Sequence, residues 1–424
     1  MSVVVDADKL DLGRFLKRGD HIVWGQACGE PTTLIETLIA QADAIGELSA
    51  FAATSFSKLL TPDVAERIRL SSMGAIGTLR ALTAVGRLAV IPCHVGQVGP
   101  AIEQGLIGCD VAFVQLSPAD ENGNHSFGLI SDFMQAAVRK ARVVIAEIND
   151  QVPYSYGESL PATRIDCAIH VSRPLVEVPA AKISDVDEAI ARHAAAYIED
   201  GAVIQTGVGA VPDAILRLLR DRRDLGVHSG MLGDGVVDLV EAGVVTNARK
   251  KIDTGVSING ALIGTRRLYQ WAHRNPAMRM CATTYTHDAA VLAQLDRLVT
   301  INSALEVDLS GQVNAEQSGA QYYGGTGGQV DFVRAGMRSP GGRSIIALSA
   351  TAKGGSLSKI VTALSGPVTT ARTEVDVIVT EFGAAELKGQ TLAERARRLI
   401  AIADPQFREG LEREAQATVW KRGF

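Results

Sequence analysis

Only 5% of the 424 residues are aromatic, and no apolar run approaches the ~20 residues that a membrane-spanning helix requires. The N-terminal text MSVVVDADKLDLGRFLKRGD has no basic segment followed by an apolar stretch, so no secretory leader is expected and a cytoplasmic location is. Cysteine is scarce and scattered. Cys28, Cys93, Cys109, Cys167 and Cys281 form no C-x-x-C pair and are odd in number, which argues against a disulfide framework and against a zinc or other metal site. Positive charge is not in excess either, since 42 Lys and Arg face 47 Asp and Glu, for a formal net charge of -5. A nucleic-acid partner is therefore not expected, and neither is a membrane partner.

What the chain does have is 46% hydrophobic residues and 42 glycines, enough apolar material for two α/β cores. In the first half, β-branched runs (HIVW, LAVIPC, DVAFVQLS, RVVIAEIN) alternate with helical text, the pattern of a parallel sheet with crossover helices. TTLIETLIAQADAI places Leu34, Ile35, Leu38 and Ile39 on one helix face, with Pro31 at its start. The alternation restarts after a polar stretch at Val178–Glu188 with AVIQTG, RLVTINS, RSIIALS and VDVIVTEFG as strands. Two similar, open, mostly parallel α/β domains are predicted, 1–185 and 186–424. The C-terminal LAERARRLIAIADPQFREGLEREAQ reads as an amphipathic helix.

Chemistry concentrates in glycine-rich loops. QTGVGAVPD (Gln205 to Asp213) closes a strand and opens a helix, so Gly207, Val208 and Gly209 can bring backbone N–H groups to an anion or thioester. On its own such a G-x-G is more often an ordinary strand-to-helix turn. A second concentration, YYGGTGGQVDF onward, has Gly324, Gly325, Gly327 and Gly328, with Arg338, Arg343, Lys353 and Lys359 downstream to neutralise phosphates. Solvated β-turns are the ordinary reading of any one of these positions.

The blocks GQACGEP, QLSPADENGNHSFG, QTGVGAVP, HSGM, INSALEVDLSGQV and GGTGGQVDF together resemble the acetyl-CoA hydrolase/transferase family of class I CoA-transferases, over roughly Gly19 to Arg408. The resemblance implies acyl-CoA and a small carboxylic acid as substrates, coenzyme A contacts at Gln205, Gly207, Val208, Gly209, Leu305, Gly327, Gly328, Lys353 and Gly355, and a homodimer or tetramer. It also implies one cleft faced by the Gly25–Pro31 loop and the loops near 205, 230 and 325. In that family a Glu carboxylate in an H-[TS]-E-M segment attacks the thioester and becomes a glutamyl-CoA thioester. Here the segment is His228-Ser229-Gly230-Met231, and Gly230 has no side chain. Gln26 stands where the family has His; it can donate a hydrogen bond to an acyl oxygen but cannot act as acid or base. Asp234, Glu30, Glu306 and Glu316 are the nearby carboxylates that could replace the missing one, although negative charge such as that of Glu30 beside a helix start also has structural uses. His228 or a loop acid could instead activate water. Four outcomes follow: transfer with a non-standard or relocated nucleophile, hydrolysis, other acyl-CoA chemistry, or CoA binding without catalysis. The retained glycine blocks favour an enzyme, transferase first and hydrolase second. For His125, in the polar loop after DVAFVQLS, a solvated histidine is at least as good a reading as a site residue.

Overall fold

The computed structural model describes residues 3–319 and 321–417; the outermost ends of the two expected domains, 1–2 and 418–424, lie outside them. The chain divides into two compact units. One comprises Met1–Pro179, Gly230–Asp234 and Val256–Asp288, the other Ala180–Ser229, Gly235–Gly255 and Ala289–Phe424.

The first unit is built on eight parallel strands in the order Val3–Val5, Cys167–Val171, Val143–Asn149, Val111–Leu116, His21–Trp24, Leu48–Phe51, Ile68–Ser72, Leu88–Val90. Every residue of Val111–Leu116 and of Val143–Asn149 is buried, as expected of parallel strands covered on both faces, and this is why they read as continuous apolar runs. After His21–Trp24 the chain adds strands on one side, then returns to build on the other side from Val111–Leu116. The strand order therefore reverses at the carboxyl end of His21–Trp24, where Gly25–Pro31 follow. Crevices of this kind are where open α/β sheets bind ligands.

Helix Thr32–Ile45 leaves that loop with Pro31 as its N-cap and buries Leu34, Ile35 and Leu38 on the sheet, while Ile39 is half-buried. Its first turn is held by Glu147 of the neighbouring strand, whose carboxylate accepts the N–H groups of Thr33 (2.8 Å) and Leu34 (3.1 Å). Burial pushes the Glu147 carboxyl up to about 7 against the pull of those two donors. The insert 256–288 packs on the same unit: Met231–Leu232 pairs with Ala261–Leu262, and Ser257–Asn259 with Met278–Met280.

The second unit carries six strands ordered Gly226–Val227, Val203–Gln205, Leu298–Ser303, Arg343–Ala347, Val377–Thr380, Gly383–Glu386; the last pairing is antiparallel and the others parallel. Its order reverses between Val203–Gln205 and Leu298–Ser303, directly before Thr206–Gly209. Helix Asp185–Ala195 enters this unit through a reciprocal capping box between Ser184 and Asp187. The C-terminal segment is two helices rather than one, Leu392–Ala401 and Pro405–Gln416. Asp404 caps the second through the N–H of Gln406, and Pro405 takes its first position, so the amphipathic pattern restarts there.

Candidate active site

Gln26 follows strand His21–Trp24 at the reversal point of the first sheet and is 8% exposed. Its Nε2 donates to Asp132 Oδ2 at 2.6 Å. The other oxygen of Asp132 accepts the backbone N–H groups of Phe133 and Met134, the latter at 3.2 Å. No cation is among the groups that perturb Asp132; burial dominates and pushes its carboxyl up to about 7 against these three donors. From here a hydrogen-bonded ladder runs through the same unit. The N–H groups of Ser131 (3.0 Å) and Asp132 (3.4 Å) donate to the Gly260 carbonyl, and the Gly260 N–H donates to the Gly230 carbonyl at 3.2 Å. Space at 260 is tight: a Cβ there would lie 3.2 Å from the Cys281 carbonyl oxygen and 3.3 Å from that of Gly230, so either would have to yield by a few tenths of an ångström. Gln26 and Gly230, far apart in sequence, are thus joined through Asp132 and Gly260. Gly230 itself is half-buried and does not belong to the left-handed glycines among the described residues.

The carboxylates proposed to replace a residue-230 nucleophile are each committed elsewhere. Glu30, 1% exposed, accepts from Ser55 Oγ (2.7 Å), Phe56 N (2.9 Å), Ser57 N (2.8 Å) and Ser57 Oγ (3.2 Å), and burial raises its carboxyl despite these four donors. It clamps the loop at 55–57. Asp234 opens helix Asp234–Glu241 and accepts Thr265 N (2.9 Å) and Thr265 Oγ1 (2.7 Å). Glu306 receives Asn314 Nδ2, Ser365 N and Ser365 Oγ, and Glu316 receives Thr369 Oγ1. His228 is fully buried, its N–H on the Ile204 carbonyl (3.1 Å) in continuation of the strand pairing. His125 is not solvated as a loop histidine would be: it is 5% exposed, and its Nδ1 lies 2.8 Å from the Ser117 carbonyl oxygen, on a short strand paired antiparallel with Ser159–Pro161.

In the second unit, a cavity of about 200 Å³ sits at the reversal point of the sheet. Gly207 and Val208 line it from one loop, Asn302 and Ser303 from a strand end, and Gly327 and Gly328 from the glycine-rich segment. Helices Ala210–Leu218 and Gln329–Arg338 both begin here, with Gly209 and Gly328 as their N-caps. Two helix N-termini meet one cavity, an arrangement that favours negative charge. Gly209 has φ +127° and ψ 179°, a conformation essentially reserved for glycine, and open space surrounds its Cβ position. Gln205, 5% exposed, is steadied by Asn302 Nδ2 at 3.3 Å. Of the expected coenzyme A contacts, the cavity lining includes Gly207, Val208, Gly327 and Gly328 but not Gln205, Gly209, Leu305, Lys353 or Gly355. Leu305 lies two residues beyond the lining residue Ser303, its N–H on the Asn314 carbonyl; Lys353 and Gly355 form a tight exposed turn at φ +51° and +91°. Among the described residues no cluster of His, Cys, Asp and Glu suited to a metal ion occurs, and the five cysteines are free thiols.

Asp132 escaped the sequence reading. Its one local signal is position, two residues before helix Met134–Lys140, where an acidic side chain bonds to the backbone that follows.

Known proteins show the family to which the chain belongs. The chain is 38% identical to the 4-hydroxybutyrate coenzyme A transferase of Clostridium kluyveri, over 94% of both sequences. It is 35% identical to the succinyl-CoA:cyclohexane-1-carboxylate CoA transferase of Geobacter metallireducens, over 95% of this chain and 92% of the relative. The crystal structure of RipA from Yersinia pestis superposes with a TM-score of 0.92 at 34% identity, covering 98% of this chain and 97% of that one. Residues 9–208 match the acetyl-CoA hydrolase/transferase N-terminal domain and residues 264–415 the C-terminal domain, so the chain belongs to the acetyl-CoA hydrolase/transferase family.

Proposed function

We propose that this enzyme moves CoA from a short-chain acyl-CoA to a free carboxylic acid, and that the acceptor carboxylate is itself the non-standard nucleophile. The observation that carries the reading is the absence of any side chain at Gly230 together with the commitment of Glu30 to four hydrogen bonds and of Asp234 to two. Whole-length identity to CoA transferases supports the reaction class.

In the first step a carboxylate oxygen of the acceptor acid attacks the thioester carbonyl carbon. The C–S bond breaks, CoA leaves as thiolate, and a mixed anhydride of the two acids remains. The thiolate then attacks the acceptor-derived carbonyl; the anhydride C–O bond breaks and the donor acid departs as carboxylate. Nothing is oxidised and no proton is consumed. Gln26 has one Nε2 proton on Asp132 and a second to offer the oxyanion, a role that requires no acid or base. Gln205, Gly207, Val208, Gly209, Gly327 and Gly328 hold a segment of CoA by backbone N–H groups and the two helix N-termini, with Leu305, Lys353 and Gly355 as outer contacts.

Hydrolysis is the second reading, favoured by the same vacancy: water in place of the acceptor acid would release free CoA. Initial rates with an acyl-CoA panel, with and without acetate or succinate, separate the two. Direct attack predicts acid-dependent exchange, intersecting double-reciprocal lines and no adduct after borohydride or hydroxylamine. Parallel lines with an adduct on a protein carboxylate would establish a relocated nucleophile, and CoA release without acid would establish a hydrolase. A homodimer or tetramer, working in the cytoplasm, completes the proposal; sedimentation equilibrium checks the mass.

A further inference from the structure

A cavity of about 470 Å³ in the first unit is lined by none of the residues of the Gln26–Gly230 ladder. It opens at the carboxyl ends of strands Val143–Asn149 and Cys167–Val171, the edge of an open α/β sheet where ligands collect, and its volume lies in the range of small-molecule sites. Helix Arg266–Ala272 closes one side. Arg266, Tyr269, Gln270 and His273 follow the i, i+3, i+4, i+7 spacing of a single helix face, and all four line the cavity.

Three arginines reach this space, and they differ in how far they are spoken for. Arg173 is clamped by both oxygens of Glu36 (2.9 and 3.1 Å) and by Thr33 Oγ1. Among the described residues, the guanidinium groups of Arg266 and Arg274 donate to no carboxylate. Arg274 is nonetheless pre-organised. Its backbone is left-handed at φ +51°, held because its N–H donates to the Tyr154 carbonyl (2.8 Å) while the Tyr154 N–H donates to His273 Nδ1 (3.1 Å). Its guanidinium lies 5.8 Å from the centre of the Tyr154 ring. A non-glycine residue kept in this conformation by surrounding bonds is a recurrent mark of a ligand clamp. Because His273 Nδ1 accepts the Tyr154 N–H, the ring proton sits on Nε2, which presents a donor there. Two acids also line the cavity, each with one oxygen occupied: Asp150 Oδ1 takes Gln151 Nε2, and Glu177 Oε2 takes the Arg266 N–H. Their second oxygens remain as acceptors suited to hydroxyl groups.

We infer that this cavity binds a small hydroxylated organic anion whose carboxylate or phosphate head is gripped by Arg266 and Arg274 and whose hydroxyls meet Asp150 and Glu177. Guanidinium forks fit both kinds of head group, so the shared chemistry is an oxyanion on a polyhydroxyl or hydroxy-acid body.

Calorimetry on the full chain with malate and, separately, with 5′-AMP tests this and tells the two head groups apart. At least one probe should bind at one site per chain with a dissociation constant of about 1 mM or tighter. Arg266→Gln and Arg274→Gly should each weaken that binding roughly tenfold; glycine is chosen at 274 because it keeps the left-handed backbone while removing the guanidinium. Thermal midpoints of the variants confirm that they remain folded, and saturating CoA should leave the binding intact. No binding of either probe at about 10 mM, binding indifferent to both substitutions in folded protein, or displacement by CoA would each overturn the inference.

Discussion

Above its raised value of about 7, Asp132 is ionised and can only accept, so it then dictates which end of the Gln26 amide faces it, even though nitrogen and oxygen look alike by shape. This constraint is chemical, and it has a pH signature. The Asp132 carboxyl is raised from 3.8 to about 7, so between these values the folded protein binds more protons than the unfolded chain. Stability attributable to this group is therefore present at low pH and lost as pH rises through that window. Asp132→Asn removes the titrating group, and the fall in thermal midpoint of the wild type between about pH 4 and 7 should flatten in the variant; identical slopes would show that Asp132 does not titrate there. At Gly230 the backbone is outside the left-handed range, so a side chain meets no φ penalty. Gly230→Glu should create a covalent glutamyl-CoA adduct detectable by mass spectrometry of the residue-230 peptide after borohydride, and change intersecting kinetics to parallel. A variant that binds CoA yet forms no adduct would mean that position 230 does not aim at the thioester. Gln26, Glu30 and Asp234 were visible in the sequence as chemistry-bearing residues, but their partners were not. The Gln26–Asp132 bond spans 106 residues and the Asp234–Thr265 bonds span 31, and nothing in local pattern encodes such a pairing.

At the scale of elements, buried parallel strands announce themselves, because both faces need apolar residues and the runs are unbroken. DVAFVQLS and RVVIAEIN correspond to Val111–Leu116 and Val143–Asn149 with all residues buried. Amphipathic helices are less sharply bounded. Ile402 and Ala403 keep the apolar period alive past Ala401, and only Asp404-Pro405 reveals the break. The glycine loops show the same division between what pattern reveals and what it hides. Both Gly207 and Gly209 read as loop glycines, yet only Gly209 has a backbone angle that other residues avoid, while both have open space where a Cβ would go. Substitution should therefore discriminate between strain and volume. Gly209→Ala ought to cost ~1–3 kcal/mol in backbone strain and weaken CoA binding measured by calorimetry, with Gly207→Ala close to wild type and Lys353→Ala mild because that side chain is exposed. Equal losses at 207 and 209 would indicate that bulk, rather than the positive φ, governs this loop.

Across the whole molecule, the same logic appears in each unit: a mostly parallel sheet whose order reverses once, with a candidate site loop at the reversal, Gly25–Pro31 in one and Thr206–Gly209 in the other. Two α/β alternations were readable from strand and helix text, but the path of the chain was not. It passes from one unit to the other five times, because Gly230–Asp234 and Val256–Asp288 belong with the first unit rather than with their sequence neighbours. Short strands such as Met231–Leu232 and Ser257–Asn259 carry too little pattern to show this. The consequence is a dependence that can be measured. Within the first unit, the insert supplies the Gly260 carbonyl to Ser131 and Asp132, the Leu262 N–H to the Leu129 carbonyl and the Thr283 N–H to the Asp132 carbonyl. It also buries Leu262, Leu268, Met278 and Met280 at 2% exposure or less. A fragment ending at residue 185 lacks all of these and leaves buried polar groups around Asp132 without partners, each costing ~1–3 kcal/mol. Such a fragment should melt broadly or not at all by circular dichroism, whereas the same segment fused through a flexible linker to 256–288 should regain a cooperative transition. A sharp, reversible melt of the shorter fragment alone would show that the insert rides on a unit already stable without it, and that the ladder from Gln26 to Gly230 is laid over the fold rather than built into it.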